Sequence, residues 1–115
     1  MPAAPAYSHL IADFVGVRAP LLRDPALLSG LLIAAASAAG LNPVFAPVVR
    51  QLPNDDVAAV LLLEDCHVTV HALVKREMLL LDILAPAAAD AGKAMDVFAR
   101  RLAPREIRRD TRARG

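Results

Sequence analysis

The 115-residue sequence is short of the groups that staple or anchor a chain: it has one cysteine, no tryptophan and only 3% aromatic residues. A single thiol, Cys66, excludes a disulfide framework within the chain and any zinc site built on several cysteines, and it makes a reducing, cytoplasmic setting the expectation. Long apolar runs are missing too. The longest uncharged stretch, between Pro25 and Arg50, is broken by Ser29, Gly30, Gly40, Asn42 and Pro43, whereas a membrane span needs about 20 continuous apolar residues. No membrane association is expected. Met1 to Ser8 carries no positive charge ahead of an apolar region and no cleavage pattern, so no secretory leader is expected.

Charge of one sign is nearly absent as a bulk property, the formal balance being +1, yet seven of the thirteen basic residues lie between Arg100 and Arg114. With no aromatics interleaved to stack on bases, this tail reads as a solvated strand edge, and no nucleic-acid partner is expected. What the chain has in quantity is apolar residues, 57% against 22% charged, which excludes both disorder and a highly charged coiled coil. A length of 115 residues supports one core, read as a single domain over 1–115 with no internal repeat.

The order of elements follows from punctuation. His9 to Val17 is apolar and reaches Gly16, compatible with a first strand. Asp24 followed by Pro25 is a capped helix start, and the alanine- and leucine-rich stretch behind it runs to a stop at Gly40. Val44 to Leu52, with Pro47 inside it, reads as an edge or bulged strand. After a turn at Pro53 to Asp56, the segments Val57–Leu63, His67–Val74 and Glu77–Leu84 form an antiparallel meander. A second helix is read from Ala87, with Ala91, Ala94, Met95, Phe98 and Leu102 on one stripe and Pro104 as its stop. Arg105 to Gly115 supplies a final edge strand. This order predicts a two-layer α/β sandwich: an antiparallel sheet with both helices on one face and a second protomer against the other, because the strands are apolar on both sides.

Reactive side chains gather in one place, Glu64, Asp65, Cys66, His67 and His71. In a strand from His67, the side chains of His67, Thr69 and His71 share a face. Three chemistries compete for this group. A metal would use Cys66, His67, His71 and a carboxylate; a cysteine hydrolase would pair Cys66 with His71 and an aspartate, Asp65 or Asp82; the third reading is a buried structural cysteine with histidines at a strand edge.

The string Glu64-Asp65-Cys66-His67-Val68-Thr69-Val70-His71 resembles the self-cleavage motif of the small prokaryotic S-adenosylmethionine decarboxylases, Glu-Ser-His-x-Ser/Thr-x-His. His9-Leu10-Ile11-Ala12-Asp13-Phe14-Val15-Gly16 is similar to that family's opening, Leu81-Asp82-Ile83 to its Val-Asp-Val/Ile, and Arg114-Gly115 to its closing Arg-Gly. The resemblance implies a pyruvoyl enzyme of polyamine (spermidine) biosynthesis, without a metal. Its chain cuts itself before the motif serine, and the carbonyl left at the new terminus draws off the electron pair released with carbon dioxide. Here that position is Cys66, so the implied cofactor is a pyruvoyl group derived from Cys66 after cleavage between 65 and 66. By the same resemblance Cys66, His71 and Asp65 are the candidate catalytic residues, and Lys75, Glu64 and His67 the candidate substrate-binding ones. The implied substrate is a small amino-acid-type molecule, and the implied partner a second copy or a related chain.

Several residues depart from the family pattern. A thiol replaces the serine hydroxyl, which keeps an acyl shift and elimination chemically open, with sulfur lost as sulfide. Ala58 stands where the family has a hydroxyl that assists processing. Pro86 stands where it has the cysteine that returns a proton to the substrate. Lys75 stands where it has the acid that contacts the substrate ribose, adding a positive charge beside a cationic sulfonium. These departures point to weak or altered activity, or to a non-catalytic relative that pairs with an active decarboxylase. A decarboxylase of a different amino acid, its carboxylate held by Lys75 or Arg76, is a further option.

Overall fold

In the computed structural model, residues 4–115 are described; Met1–Ala3, part of the stretch read above for a leader, lie outside them. Six strands form one antiparallel sheet in the order β2-β3-β4-β5-β1-β6. They are β1 (Tyr7–Val15), β2 (Val48–Gln51), β3 (Val57–Leu62), β4 (His67–Leu73), β5 (Met78–Pro86) and β6 (Glu106–Arg114). The helices are α1 (Ala19–Leu22), α2 (Pro25–Ala38) and α3 (Ala91–Leu102). α2 packs over β2, β3 and β4, α3 over β1 and β5, and the two helices touch each other, so both lie on one face as the sequence predicts.

Strand alternation sorts the side chains. On β4, Val68, Val70 and Ala72 are buried beneath the helices, whereas His67, Thr69 and His71 face the other way. Phe14, Phe98, Leu28, Leu32, Leu61 and Leu79 form the center of the core, all fully buried. Among the described residues nothing forms a layer over the opposite face, which presents Ile11, Val48, Leu62 and Leu80, each partly exposed, among charged neighbors.

Local chemistry explains the boundaries. Asp24 accepts from the Leu27 amide at 3.1 Å and Pro25 fills the first helical position, as the sequence predicts for α2. Gly40, at φ +73°, ends that helix in a conformation most side chains avoid. Other boundaries move. The second long helix starts at Ala91 rather than Ala87, because the first residue able to cap it is Asp90, which accepts from Lys93 N at 3.3 Å. Ala87 instead donates to Ala6 O and Ala89 to Pro86 O, closing a turn. The second strand shrinks to Val48–Gln51, since Pro43 and Pro47 keep the preceding segment irregular. β1 ends at Val15; Gly16 and Val17 both donate to Glu77 O in a turn that requires the positive φ of Gly16. The one-turn helix α1 has no counterpart in the sequence reading.

β6 is an edge strand, as expected of the arginine-rich tail. Its side chains are largely exposed and of mixed sign, which discourages further strands from adding to the sheet. Among the described residues no helix is long and apolar enough to cross a membrane.

Candidate functional site

The β3–β4 hairpin carries the reactive cluster. Its turn, residues 63–66, is fixed by Leu63 N donating to Cys66 O at 2.9 Å and Glu64 N to Asn42 O at 3.2 Å. Glu64 and Asp65 project into solvent, while Cys66, only 7% exposed, belongs to the core. Burial pushes its thiol up to about 11, and the Asp65 carboxylate adds to the rise; the Asp65 backbone opposes it in part. At neutral pH the sulfur is therefore a protonated thiol.

His71 is elsewhere. It sits five residues further along an extended strand, about 16 Å at the usual rise per residue, and on the open face, whereas Cys66 is packed in the core. The Cys66–His71 pair read from the sequence does not form within one chain. Both the hydrolase pairing and the four-ligand metal reading fail for that reason, and among the described residues no three His, Cys, Asp or Glu side chains gather to hold a metal ion. His71 lies instead in a groove of about 530 Å³ whose apolar floor includes Ile11, Ala58 and Leu80 and whose polar groups are Asp13, Thr69 and Asp82. Ala58 is its direct cross-strand partner.

Lys75 is farther still, in the β4–β5 turn, beside Asn54, Asp56, Leu73 and Arg76. Asp56 is a buried latch there, accepting from Val74 N at 2.9 Å and from Asn54 Nδ2 at 3.1 Å. The candidate residues thus fall into two groups at opposite ends of β4. Cys66, Asp65 and Glu64 are at its start, and Pro86, which ends β5 as the cross-strand partner of Tyr7, lies at that same end of the sheet; Ala58, His71 and Lys75 lie toward the other.

One arrangement near Cys66 was not read from the sequence. His9 Nε2 lies 2.7 Å from Asp82 Oδ1, His67 Nε2 3.8 Å from the same oxygen, and Arg114 Nη1 3.1 Å from His9 Nδ1. The register explains it: His9 and His67 flank Leu84 on either side, and Asp82 is the next residue of β5 on that face. His9, Asp82 and Arg114 each sit in one of the short strings that resemble the decarboxylases, and that coincidence was the available signal.

The family model for S-adenosylmethionine decarboxylase matches residues 8–115. The chain belongs to that family. The crystal structure of the adenosylmethionine decarboxylase from Aquifex aeolicus VF5 superposes with a TM-score of 0.89 at 25% identity, covering 98% of this chain and 93% of that one. A search of curated proteins finds no match. A decarboxylase-like protein with this fold is thereby established, and the two-layer sandwich expected from the order of elements holds.

The pyruvoyl group that the family resemblance implies fits this chain in position and poorly in reactivity. A cut between 65 and 66 falls in a turn, so β3 and β4 keep their pairing on either side of it. The thiol, however, is buried and protonated, and Ala58 offers no hydroxyl.

Proposed function

We propose that this chain is an S-adenosylmethionine decarboxylase-like protein of spermidine synthesis in the cytoplasm that processes itself slowly at the 65–66 bond, so that most copies remain intact. The carrying observation is the state of Cys66: at the right turn for cleavage, yet held as a buried thiol. The pyruvoyl group, once present at residue 66, supplies an electron sink for decarboxylation. The chain's own residues do the rest. Asp65 provides the carbonyl that the sulfur attacks, and its carboxylate disfavors the thiolate needed for that attack. Asp13 and Asp82, over an apolar floor, suit a cationic, amine-bearing substrate in the groove beside His71.

A second copy would close the distance along the strand between the 65–66 turn and His71 and Lys75. A two-fold axis between two open faces, perpendicular to the strands, would lay β4 antiparallel over its counterpart and bring the start of one over the end of the other. Ile11, Leu62 and Leu80 supply apolar surface for that contact. His71 then stands over the backbone of the 65–66 turn of the other chain, and Lys75 near the substrate, where it disfavors a sulfonium. The test is release of labelled carbon dioxide from S-adenosylmethionine by purified protein of known oligomeric state. Slow release, in proportion to the cleaved fraction, is expected; robust release from intact chain contradicts the proposal.

A second reading, a non-catalytic partner of an active decarboxylase, is favored by Pro86, which has no proton to return to a substrate. It predicts that mixing with an active relative yields a mixed dimer with altered turnover, and that neither cleavage nor carbon dioxide release occurs alone.

A further inference from the structure

We infer that His9 is a proton switch on the open face: neutral, it ties the end of β6 to the sheet through Arg114; protonated, it releases Arg114 and keeps Asp82 alone. The switch needs neither cleavage at residue 66 nor a substrate. Its basis is a chain of two hydrogen bonds, Arg114 Nη1 to His9 Nδ1 at 3.1 Å and His9 Nε2 to Asp82 Oδ1 at 2.7 Å.

The first member of the chain fixes its direction. A guanidinium donates and never accepts, so His9 Nδ1 must turn a lone pair toward Arg114. The ring proton then sits on Nε2 and is donated to the Asp82 carboxylate. Only a neutral imidazole combines one acceptor with one donor in this way. His67 Nε2, 3.8 Å from the same Asp82 oxygen, is beyond hydrogen-bonding distance and takes no part in the chain.

The register names the groups around the ring. Arg112 is the direct cross-strand partner of His9 on β6, with Asp110 and Arg114 on either side of it along the same face. On β5 the partner is Leu84, with Asp82 the next residue of that face, and across Leu84 on β4 stands His67. Tyr7 and Ile11 are the neighbors on β1 itself, with Asp13 beyond Ile11. The β6 side of His9 thus carries two guanidiniums and one carboxylate, and the β5 side the Asp82 carboxylate.

When Nδ1 takes a proton from solvent, the Arg114 hydrogen bond is lost and two cations face each other in its place. No other bond is broken: His9 keeps Asp82, now as a charge-assisted pair. Asp110 lines the same cavity of about 250 Å³ as His9, Arg112 and Arg114, and is the carboxylate within it that can take up a displaced donor. Among the described residues, the Arg114–His9 contact is the one side-chain hydrogen bond that runs from β6 to another strand. Beyond Ile107 the side chains of β6 are exposed, so its last residues are otherwise held to Tyr7, Ser8 and His9 by backbone pairing. Protonation of His9 therefore loosens residues 112–114 and bares the edge of β1 beside them.

The test follows the full native chain by nuclear magnetic resonance between about pH 8 and about pH 5, the range in which imidazoles gain a proton. At the upper end, nitrogen-15 spectra should place the His9 proton on Nε2 and show the Arg114 guanidinium held. At the lower end both ring nitrogens should carry protons and the guanidinium should turn freely. Over the same interval the backbone-amide protection of residues 112–114 should fall by roughly two- to tenfold, the effect of one hydrogen bond, while Ile107 and Arg108 at the other end of β6 keep theirs. His9→Gln, which has a donor and an acceptor but no proton to gain, should show no such fall, and Arg114→Ala should have the lower protection throughout. A His9 proton on Nδ1 near the upper end, an Arg114 guanidinium equally free at both ends, an equal fall in His9→Gln, or a fall spread over the whole sheet overturns the inference. The ring and guanidinium signals of the native chain decide it even where a variant fails to fold.

Discussion

The two faces of one sheet are built on opposite terms. Beneath α2 and α3 the strands present Leu61, Val68, Val70, Leu79, Leu81 and Ile83, closed to solvent and without a buried unsatisfied side chain among the described residues. On the other face, residues one position along the same strands include all three histidines of the chain, Asp13 and Asp82, interspersed with Ile11, Leu62 and Leu80. One register therefore produces a face that holds the fold and a face that carries the histidines and carboxylates among exposed apolar residues. Cys66 is the residue that crosses this division: its neighbors in sequence belong to the reactive cluster, but its sulfur lies with the core.

Substitutions should separate the faces by size of effect. Phe98→Ala empties the center of the covered face and should cost about 3–5 kcal/mol, measured by chemical denaturation. Cys66 gives the next effect through its thiol. Because folding raises its titration point from 9.0 to about 11, the folded chain holds the proton more tightly than the unfolded one. That contribution is fully present below pH 9.0 and is lost as pH rises toward about 11. Native protein should thus lose up to roughly 2–3 kcal/mol more over that window than Cys66→Ala does, as read from denaturation at each pH. Asp90→Ala removes the cap of α3 and should cost about 1 kcal/mol. Smallest for the fold is Ile11→Lys on the open face, expected within about 0.5 kcal/mol for the monomer, yet it should abolish self-association in light scattering if the open faces meet. Equal stability losses for Phe98→Ala and Ile11→Lys would erase the distinction between the faces.

Much of the covered face was legible because apolar residues buried on one side leave a period that sequence preserves: α2 follows from Asp24, Pro25 and Gly40, and α3 from its stripe of Ala91, Ala94, Met95, Phe98 and Leu102. The open face was legible only in part. Strand alternation correctly put His67, Thr69 and His71 together. Alternation within β4 does not reveal what pairs across strands, so the convergence of His9, Asp82 and Arg114, residues as much as 105 positions apart, had to wait for the register. Nearness in sequence also misled. Cys66 and His71 are close along the chain, but an extended strand turns five residues into distance.

Decarboxylation by this chain requires the turn at residues 63–66 to be a working, if slow, cleavage site. A denaturing intact-mass spectrum of purified protein measures this directly. The expected result is mostly intact chain with a minor fraction split into 1–65 and 66–115, absent in Cys66→Ala and increased in Cys66→Ser. Intact chain alone in both the native protein and Cys66→Ser would contradict it, as would complete cleavage of the native chain.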